Sequence, residues 1–465
     1  MDLRSEKPGT SHPQHSTRAP SRRRFGLPAL WLALATLAGG VLLSAFEREP
    51  LEVFKRRRAE LMESVRDGIV VLFGQTPPED IDYLPFRQTN DFYYLTGSEE
   101  PNVALLLVPS SSEGGTGREI FFLPLRDPAE ERWTGPKIGA GDPGISEVTG
   151  FAEVMPPGHL PAQMGEALKR WNKIYTLTSG GEGGGNSSFL SRLRQLAPFA
   201  SIENVAPEIA KLRSVKSAGE IDLIRKSTEA TIEAHFAAMQ AVRPGVYEYE
   251  IAALMKYEYE RRGCERSAYP PIVGSGFNST VLHYDKNRRR MEAGDMLVLD
   301  VGGEYSGYAT DITRTLPVSG RFTKRQREIY EIVLGAQRAA IAAARPGASL
   351  RRSGPNSLHR IALEYLNEEG KKRVGEPLGK YFIHGIGHHV GLAVHDPSER
   401  SATLQPGMVI TIEPGVYIPD EGLGVRIEDM ILITEDGNEV MTRRLPRDPD
   451  EIEKIMAGGK RRGNR

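Results

Sequence analysis

The sequence predicts an α/β domain followed by an α+β domain, and three observations support this prediction. The chain has 465 residues, which is too long for one ordinary domain. In the first half, short apolar strands alternate with helical patterns, as they do in α/β domains. In the second half, amphipathic helices accompany strand-like segments bounded by turn residues, which indicates helices packed on an antiparallel sheet.

Composition and charge are those of a soluble globular protein, because 39% of the residues are hydrophobic and 26% are charged. The formal net charge of -1 gives no reason to expect nucleic acid as a partner. Cys264 is the single cysteine of the sequence, which excludes an intramolecular disulfide framework and cysteine-rich zinc sites. It follows the end of a helical pattern, and we expect a buried structural thiol.

The N-terminal segment, residues 1–46, has the pattern of an export signal. Arginines at 22–24 precede a run at 25–46 that carries no charge. Two arginines before a large apolar residue are typical of the twin-arginine route. The uncharged run is also long enough to cross a bilayer, so an uncleaved membrane anchor is the alternative. We expect an exported, periplasmic or membrane-anchored protein, with a cytoplasmic location as the alternative.

The first domain is expected over residues 47–211. Apolar runs at 68–73, 103–109 and 119–124 predict buried strands. The glycine-rich stretch at 180–185 predicts a loop, and its glycines match no phosphate-binding spacing. This domain contains no pattern of catalytic residues.

The second domain is expected over residues 212–448, with the junction at 211–216. A capping box from Ser217 to Glu220 opens its first helix, and a Pro-Gly pair at 244–245 ends it. Three further helices are expected, over residues 247–262, 323–344 and 356–370. Residues 449–465 are expected to form a basic tail with a frayed end.

Histidines are concentrated in the stretch HGIGHHVGLAVHD, residues 384–396. His384, His388 and His395 lie among glycines, and His389 adds a fourth imidazole. Neutral imidazole is a good metal ligand and titrates near pH 7, so this density suggests chemical use. The alternative is a glycine-rich loop with solvated histidines.

Two aspartates end or interrupt apolar segments nearby in the sequence. Asp300 ends the buried run Met296–Asp300, and Asp311 lies on the expected return strand, residues 308–316. The turn between them is predicted at Gly302-Gly303 and Ser306-Gly307. Two unpaired carboxylates in an apolar setting repel, and a cation between them resolves the repulsion. The alternative is a pair of aspartates in surface turns.

Two glutamates repeat this arrangement. Glu413 ends the apolar run 408–413, and Glu428 lies in the expected strand 424–433 together with Arg426. Strand alternation places Arg426 and Glu428 on one face. A buried glutamate is rare unless it is paired or bound to metal. The alternative for Glu428 is a surface pair with Arg426.

Four carboxylates and one imidazole form a hard, oxygen-rich set of candidate ligands: Asp300, Asp311, His388, Glu413 and Glu428. Such a set suits two divalent ions that share a bridging hydroxide. Two cations offset four negative charges, whereas a single site rarely needs four carboxylates. Manganese is favoured, with cobalt, iron and zinc as alternatives.

Four motifs, in chain order, resemble the metallopeptidase family of methionine aminopeptidase, prolidase and aminopeptidase P: DVGGEYSGYATDITRT, HGIGHHVGLAVHD, ITIEPGVY and GVRIED. In the first domain, FRQTNDFYYLTG and Trp133-Thr-Gly135 are similar to the N-terminal domain of aminopeptidase P. The resemblance implies a creatinase-like α/β domain and then a pita-bread α+β domain. It also implies a homo-oligomer, either a dimer or a tetramer.

The resemblance also implies roles for single residues. Asp300 would chelate one metal, Asp311 and Glu428 would bridge both, and His388 and Glu413 would complete the other shell. Glu413 would also act as general base. The outer groups of the catalytic set would hold the scissile carbonyl, the oxyanion or the leaving proline nitrogen, or line the proline pocket: His283, His384, His395 and Arg426. Tyr417 would assist, and His389 is assigned no role.

The implied function is an Xaa-Pro aminopeptidase, which releases the first residue from peptides whose second residue is proline. The alternative enzyme is a prolidase, which shares the metal ligands. Metal-free creatinase-like activity is disfavoured because the ligand set is complete. A non-catalytic peptide-binding protein on the same fold is a third interpretation, and the intact ligands argue against it.

Overall fold

The computed structural model describes residues 47–77, 86–110, 115–178, 187–399 and 403–462, which lie within one compact unit. The expected export segment and the glycine-rich loop at 180–185 lie outside these residues. Within the described part of the chain, no helix combines the length and the apolarity that a bilayer span requires.

The first domain is built on a six-stranded sheet in the order β4-β3-β2-β1-β5-β6. The pairs β1–β2 and β2–β3 are antiparallel. The pairs β3–β4, β1–β5 and β5–β6 are parallel. The strands are β1 (Ile69–Phe73), β2 (Ala104–Val108), β3 (Arg118–Phe122), β4 (Glu153–Met155), β5 (Lys173–Thr176) and β6 (Ser201–Asn204). The three predicted strands are therefore present as β1, β2 and β3.

Seven helices are described in the first domain: α1 (Leu51–Ser64), α2 (Asn90–Thr96), α3 (Glu131–Thr134), α4 (Ile145–Thr149), α5 (Leu160–Ala167), α6 (Ser187–Leu196) and α7 (Ala206–Ser214). The sheet is covered on both faces, because alternate residues of β1 face different cores. Ile69 and Val71 belong to a small core with α5 and α6. Val70 and Leu72 belong to a large core that continues into the second domain.

The second domain begins with the helix that the sequence predicts. The Ser217 hydroxyl oxygen accepts a hydrogen bond from the Glu220 amide, and the Glu220 carboxylate accepts one from the Ser217 amide. The helices are α8 (Ala218–Ala241), α9 (Glu248–Glu260), α10 (Lys324–Ala343), α11 (Leu358–Val374) and α12 (Pro449–Arg462). α11 runs four residues beyond its predicted end and stops at Gly375, whose φ is 85°. Cys264 is buried as expected, and burial raises the pKa of its thiol to about 12.

The described residues of the second domain form four small antiparallel sheets instead of the single sheet predicted. Their orders are β11-β10-β7, β12-β9-β8, β13-β16-β17 and β14-β15. The strands are β7 (Arg266–Ser267), β8 (Ile272–Ser275), β9 (Met296–Asp300), β10 (Gly303–Tyr305), β11 (Tyr308–Ala309), β12 (Thr313–Pro317), β13 (Val409–Ile412), β14 (Gly415–Ile418), β15 (Leu423–Arg426), β16 (Asp429–Ile433) and β17 (Asn438–Val440). The structure therefore has an α/β domain followed by an α+β domain, as the sequence predicts.

Two of the predicted strands are interrupted, and each interruption carries a candidate ligand. The expected strand 308–316 is divided into β11 and β12, which belong to different sheets, with Asp311 between them. The expected strand 424–433 is divided into β15 and β16, with Glu428 between them. At each break the chain leaves one sheet and enters another, so the carboxylate lies where two sheets meet.

The prediction of a tail after residue 448 is wrong for most of its length. α12 begins at Pro449, and its Ile452 and Met456 are buried in the large core. Apolar residues four positions apart lie on one face of a helix, which explains the docking. The last three residues, 463–465, lie outside the described part of the chain.

Candidate metal centre

Two aspartates meet at the hydroxyl of Tyr269. Asp300 ends β9 opposite Thr313 of β12, and Asp311 lies two residues before Thr313. The Tyr269 hydroxyl is 2.6 Å from Oδ1 of Asp300 and 2.5 Å from Oδ1 of Asp311. A hydroxyl has one proton, so Tyr269 donates to only one of the two carboxyl groups at a time. Burial and the charge of Asp300 raise the pKa of Asp311 well above its usual value.

The segment that carries His388 runs along β13. The Thr411 amide donates to the His388 carbonyl at 2.9 Å, and the Glu413 amide donates to the Ile386 carbonyl at 2.8 Å. A Cβ atom on Gly387 would lie 2.0 Å from the Thr411 carbonyl oxygen, so this close approach requires glycine. The pairing places Nε2 of His388 3.4 Å from Oδ2 of Asp311 and 3.6 Å from Oε1 of Glu413.

Glu428 is buried at the break between β15 and β16, with 1% of its surface exposed. This burial rules out the surface pair with Arg426. The Thr313 hydroxyl donates to Oε2 of Glu428 at 2.7 Å and accepts from Nε of Arg426 at 3.3 Å. Burial, followed by the charges of Asp311 and Glu413, raises the pKa of Glu428 well above its usual value. Arg426 and Glu428 thus point to the same side, as strand alternation predicts, although the strand is broken.

The candidate ligands fit a divalent-metal centre. Ligand atoms of Asp311, His388 and Glu428 lie within 4.8 Å of one another. Asp300 adjoins this group through Tyr269, and Glu413 adjoins it through His388. Burial also raises the pKa of Glu413, although the charges of His388 and Arg426 oppose that shift. Arg426 compensates the charge of Asp300, but Asp311, Glu413 and Glu428 lack sufficient compensating charge. Oxygen-rich sets of this kind suit hard or borderline divalent ions.

His384 is held in one tautomer beside this centre. Nη1 of Arg426 donates to the Tyr417 hydroxyl at 2.8 Å, and that hydroxyl is 2.8 Å from Nε2 of His384. Arginine only donates, so the tyrosine proton goes to Nε2. Nδ1 of His384 then donates to the Gly385 carbonyl at 2.8 Å. Burial and then the charge of Arg426 lower the pKa of His384 to about 3, so the imidazole is neutral.

His395 adjoins the candidate ligand His388, and His283 is close enough to affect the pKa of His395. The rings of His395 and His388 meet edge to face, with their centroids 4.3 Å apart. Both His395 and His283 are exposed. Partial desolvation, followed by the charges of His388 and His283, lowers the pKa of His395 to about 4. His389 is buried instead, and its backbone pairs with Ile410 beside β13.

Three hydroxyl residues around the carboxylates were missed by sequence reasoning: Tyr269, Thr313 and Thr411. Tyr269 precedes Pro270 and Pro271, and no chemical motif marks it. Thr313 and Thr411 are both two residues from a candidate ligand, Asp311 and Glu413 respectively. Strand alternation from each ligand would have indicated that these hydroxyls share its side.

Known protein families match both domains. The family described as "Metallopeptidase family M24" matches residues 222–435, and the family described as "Aminopeptidase P, N-terminal domain" matches residues 54–175. The chain is 36% identical over 439 residues to the Xaa-Pro aminopeptidase of Escherichia coli, covering 88% of this chain and 98% of that protein. This chain belongs to the Xaa-Pro aminopeptidase group of metallopeptidase family M24. It is therefore a metallopeptidase of pita-bread fold, with an aminopeptidase P N-terminal domain.

Further relatives define how far the M24 similarity extends. The structure of Escherichia coli aminopeptidase P with the inhibitor Pro-Leu superposes with a TM-score of 0.79 at 32% identity, covering 89% of this chain and all of that chain. The Xaa-Pro dipeptidase of Pyrococcus furiosus is 39% identical over 285 residues, which cover 59% of this chain and 78% of that protein. The aminopeptidases thus match both domains, whereas the dipeptidase match covers a smaller part.

Proposed function

We propose that the protein releases the N-terminal residue from peptides whose second residue is proline. The observation that carries the proposal is the cluster of His388 with the buried carboxylates Asp311 and Glu428, in a chain that matches Xaa-Pro aminopeptidases over both domains. The Xaa-Pro dipeptidase match covers a smaller part of the chain, which favours the aminopeptidase over the prolidase.

We further propose that two divalent ions, with manganese preferred, occupy the centre. Asp300, Asp311 and Glu428 would hold them together with His388 and Glu413. When bound, such ions polarise a carbonyl and lower the pKa of a coordinated water to near neutral. The excess of carboxylates over compensating cations supports two ions over one.

The protein's own groups then divide the remaining work. Glu413 is half-buried with a raised pKa, which suits a general base that accepts the proton of the attacking water near neutral pH. Neutral His384, fixed by Tyr417 with its proton on Nδ1, would offer the peptide only that N–H, which the Gly385 carbonyl also accepts. His283 and His395 would hold the carbonyl or the departing nitrogen from the exposed side.

The proline ring sets a special requirement for this site. An Xaa-Pro amide has no N–H and its ring is rigid, so the pocket must accept the ring and protonate a tertiary nitrogen. Arg426 is buried, and its Nη2 also contacts the Leu282 carbonyl at 3.3 Å, next to His283. Arg426 would therefore connect the carboxylates with the wall that receives the proline.

The test is hydrolysis by metal-stripped protein of Ala-Pro-Ala and of the dipeptide Ala-Pro, with manganese, cobalt, zinc or nothing added. We expect metal-dependent release of the first alanine from the tripeptide. Cleavage confined to the dipeptide would identify a prolidase. No turnover of either peptide by metal-loaded protein would favour a non-catalytic binding protein.

Two variants serve as matched controls for this test. Glu413→Gln removes the general base and should abolish turnover. Glu439→Gln changes a partly exposed glutamate paired with Arg225, away from the candidate ligands, and should leave turnover intact. Equal loss in both variants would indicate general damage instead of a catalytic role for Glu413.

We also propose that residues 1–46 direct export by a twin-arginine route. The sequence in support is the arginine group at 22–24 ahead of the uncharged run. The segment is tested by fusion to a reporter that functions only outside the cytoplasm, with Arg22 and Arg23 changed to Lys as the control. Continued export of the Lys variant would contradict this route.

We propose, lastly, that the protein forms a homo-oligomer, either a dimer or a tetramer. Three large apolar side chains of the first domain support this proposal, because they are strongly exposed: Leu125, Trp133 and Phe199. Light scattering measures the mass directly. A monomer at micromolar concentration would contradict the proposal. A lower mass for Trp133→Ser than for the wild-type protein would place Trp133 in the contact between subunits.

A further inference from the structure

The loop that carries His395 is closed around the carboxylate of Asp396. The Asp396 amide donates to the His389 carbonyl at 2.9 Å, and Oδ1 of Asp396 accepts from the Ala393 amide at 3.1 Å. A Cβ atom on Gly391 would lie 2.6 Å from Oδ2 of Asp396, so the carboxylate fills the space inside the loop. The position of this carboxylate therefore determines the path of residues 389–396.

Two buried cations hold that carboxylate from outside the loop. Nη2 of Arg213 is 2.6 Å from Oδ1 of Asp396, and Nζ of Lys216 is 3.2 Å from Oδ2. Nη1 of Arg213 is 2.7 Å from Oδ1 of Asp91, which lies on α2 of the first domain. Arg213 itself is at the end of α7, where the two domains join. A buried arginine thus connects the first domain with the histidine loop.

A second contact joins the same first-domain segment to the middle of the loop. Nη2 of Arg87 donates to the Leu392 carbonyl at 3.2 Å, and Nδ2 of Asn90 donates to the same oxygen at 3.1 Å. Nη2 of Arg87 also donates to Oδ1 of Asn90 at 3.0 Å, and Arg87 forms an ion pair with Glu304. The loop is therefore held at Leu392 and at Asp396, on both sequence sides of Val394, with His395 exposed between them.

We propose that Arg87, Asn90, Asp91 and Arg213 form a first-domain clamp that positions His395 for the peptide substrate. The inference rests on the proposed function, and it assigns to the motif RQTND a role in the reaction of the second domain. The clamp residues are positioning residues, because their contacts are with the loop. A charge that is buried and paired at both ends resists displacement, since losing one partner leaves the other uncompensated.

Two variants test the clamp at its two ends. Asp91→Asn removes the charge on the first-domain side, while the ion pair between Arg213 and Asp396 remains. Asp396→Asn removes the charge inside the loop. Both variants keep the shape of the side chain. We expect each to lower kcat for Ala-Pro-Ala at least about tenfold, because small misplacements of a catalytic group have effects of this size. Metal content should stay at the wild-type ratio.

A double-mutant cycle separates positioning of His395 from general stability. In the His395→Ala background, Asp91→Asn should change kcat by about twofold or less, because the group that it positions is gone. The same cycle is read as the Kd of the dipeptide Pro-Leu, so the result does not depend on residual turnover. If Asp396→Asn does not fold, Asp91→Asn alone completes the cycle.

The matched control is Glu220→Gln. Glu220 and Arg57 form another buried ion pair between the domains at 3.0 Å, and glutamine preserves the capping box of α8. This control should lower thermal stability while leaving kcat and the Kd of Pro-Leu unchanged. Three results would overturn the clamp without touching the proposed function. Asp91→Asn could lower kcat equally in the wild-type and His395→Ala backgrounds, or it could leave kcat and the Kd of Pro-Leu unchanged. The third is a loss of kcat in Glu220→Gln that matches the loss in Asp91→Asn. Absence of turnover by the metal-loaded wild-type protein would overturn the proposed function and the clamp with it.

Discussion

Nη2 of Arg426 lies 2.5 Å from Oδ2 of Asp300, and both side chains are buried. Burial by itself raises the pKa of Asp300, but the Arg426 charge and the Tyr269 hydroxyl outweigh it, and the pKa is lowered. Asp300 is therefore ionised when its neighbours Asp311 and Glu428 retain protons. A single guanidinium thus fixes the charge state of one member of the group.

Replacing Arg426 with lysine should lower kcat/KM between about tenfold and a hundredfold, since it disrupts the support of a candidate ligand. The three guanidinium nitrogens contact Asp300, Tyr417 and Thr313, and a lysine ammonium cannot reach all three in this geometry. Steady-state kinetics on Ala-Pro-Ala measure the effect. Arg325→Lys, which changes a surface pair with Glu421, is the control and should retain activity. Activity of Arg426→Lys within twofold of wild type would contradict this prediction.

Thr313→Val should weaken metal binding by a factor of about ten to a hundred. Valine keeps the shape but removes the hydroxyl that joins Arg426 to Glu428, so both polar groups lose a buried partner. Calorimetric titration of metal-stripped protein with manganese gives the affinity. Thr228→Val removes a buried hydroxyl bonded to Thr310, and it serves as the control. The prediction is wrong if both variants bind manganese equally well.

Tyr417→Phe should reduce kcat about tenfold with little change in metal content, because it removes a residue that orients a functional side chain. The phenol proton fixes Nε2 of His384 as an acceptor, and without it the ring is free to change tautomer. The measurement is kcat together with bound metal per chain. Tyr330→Phe, whose hydroxyl donates to the Arg447 carbonyl, is the control. An unchanged kcat in Tyr417→Phe would show that His384 needs no such fixation.

Metal removal should make stability depend on pH in a specific direction. The raised pKa values of Asp311 and Glu428 mean that the folded, metal-free protein binds these protons more tightly than the unfolded chain does. Stability from this source is present at low pH and is lost as pH rises through the interval between unfolded and folded pKa values. The Tm difference between manganese-loaded and chelator-treated protein should therefore widen as the pH rises above the ordinary carboxyl range of about 4.

Differential scanning fluorimetry at several pH values measures that Tm difference. Subtracting the two curves removes titrations that metal does not affect. Glu428→Gln eliminates one of the carboxyl groups whose pKa is raised, so its chelator-treated form should lose less stability as the pH rises. Parallel curves for the metal-loaded and metal-free wild-type protein would contradict the assignment.

The sequence singled out three of the candidate carboxylates because each lies at or near a long apolar run: Asp300, Glu413 and Glu428. A charged residue that ends a run such as Met296–Leu299 has few explanations apart from a buried site. The helices were also predictable, since capping boxes and proline or glycine stops are local signals. The sheet order was not predictable, because pairing between distant strands depends on the whole second domain.

The unpredicted parts of the site have a common physical cause. Tyr269 reaches Asp300 and Asp311 only because β8, which follows it after two prolines, pairs with β9. Arg213 reaches Asp396 across 183 sequence positions, and neither residue stands in a pattern that names the other. Contacts of this kind are properties of the assembled fold, whereas motifs report on adjacent residues.

The hydrogen bond between Thr313 and Glu428 joins residues 115 positions apart in the chain. Because the candidate ligands come from separate segments, no early folding intermediate with only local contacts could present them together. Forming such distant pairings is slow, and interactions that appear after the folding barrier change only the reverse rate. The ions should consequently leave the rate of refolding unchanged and slow unfolding, so that metal acts on the lifetime of the native chain and not on its path to that state.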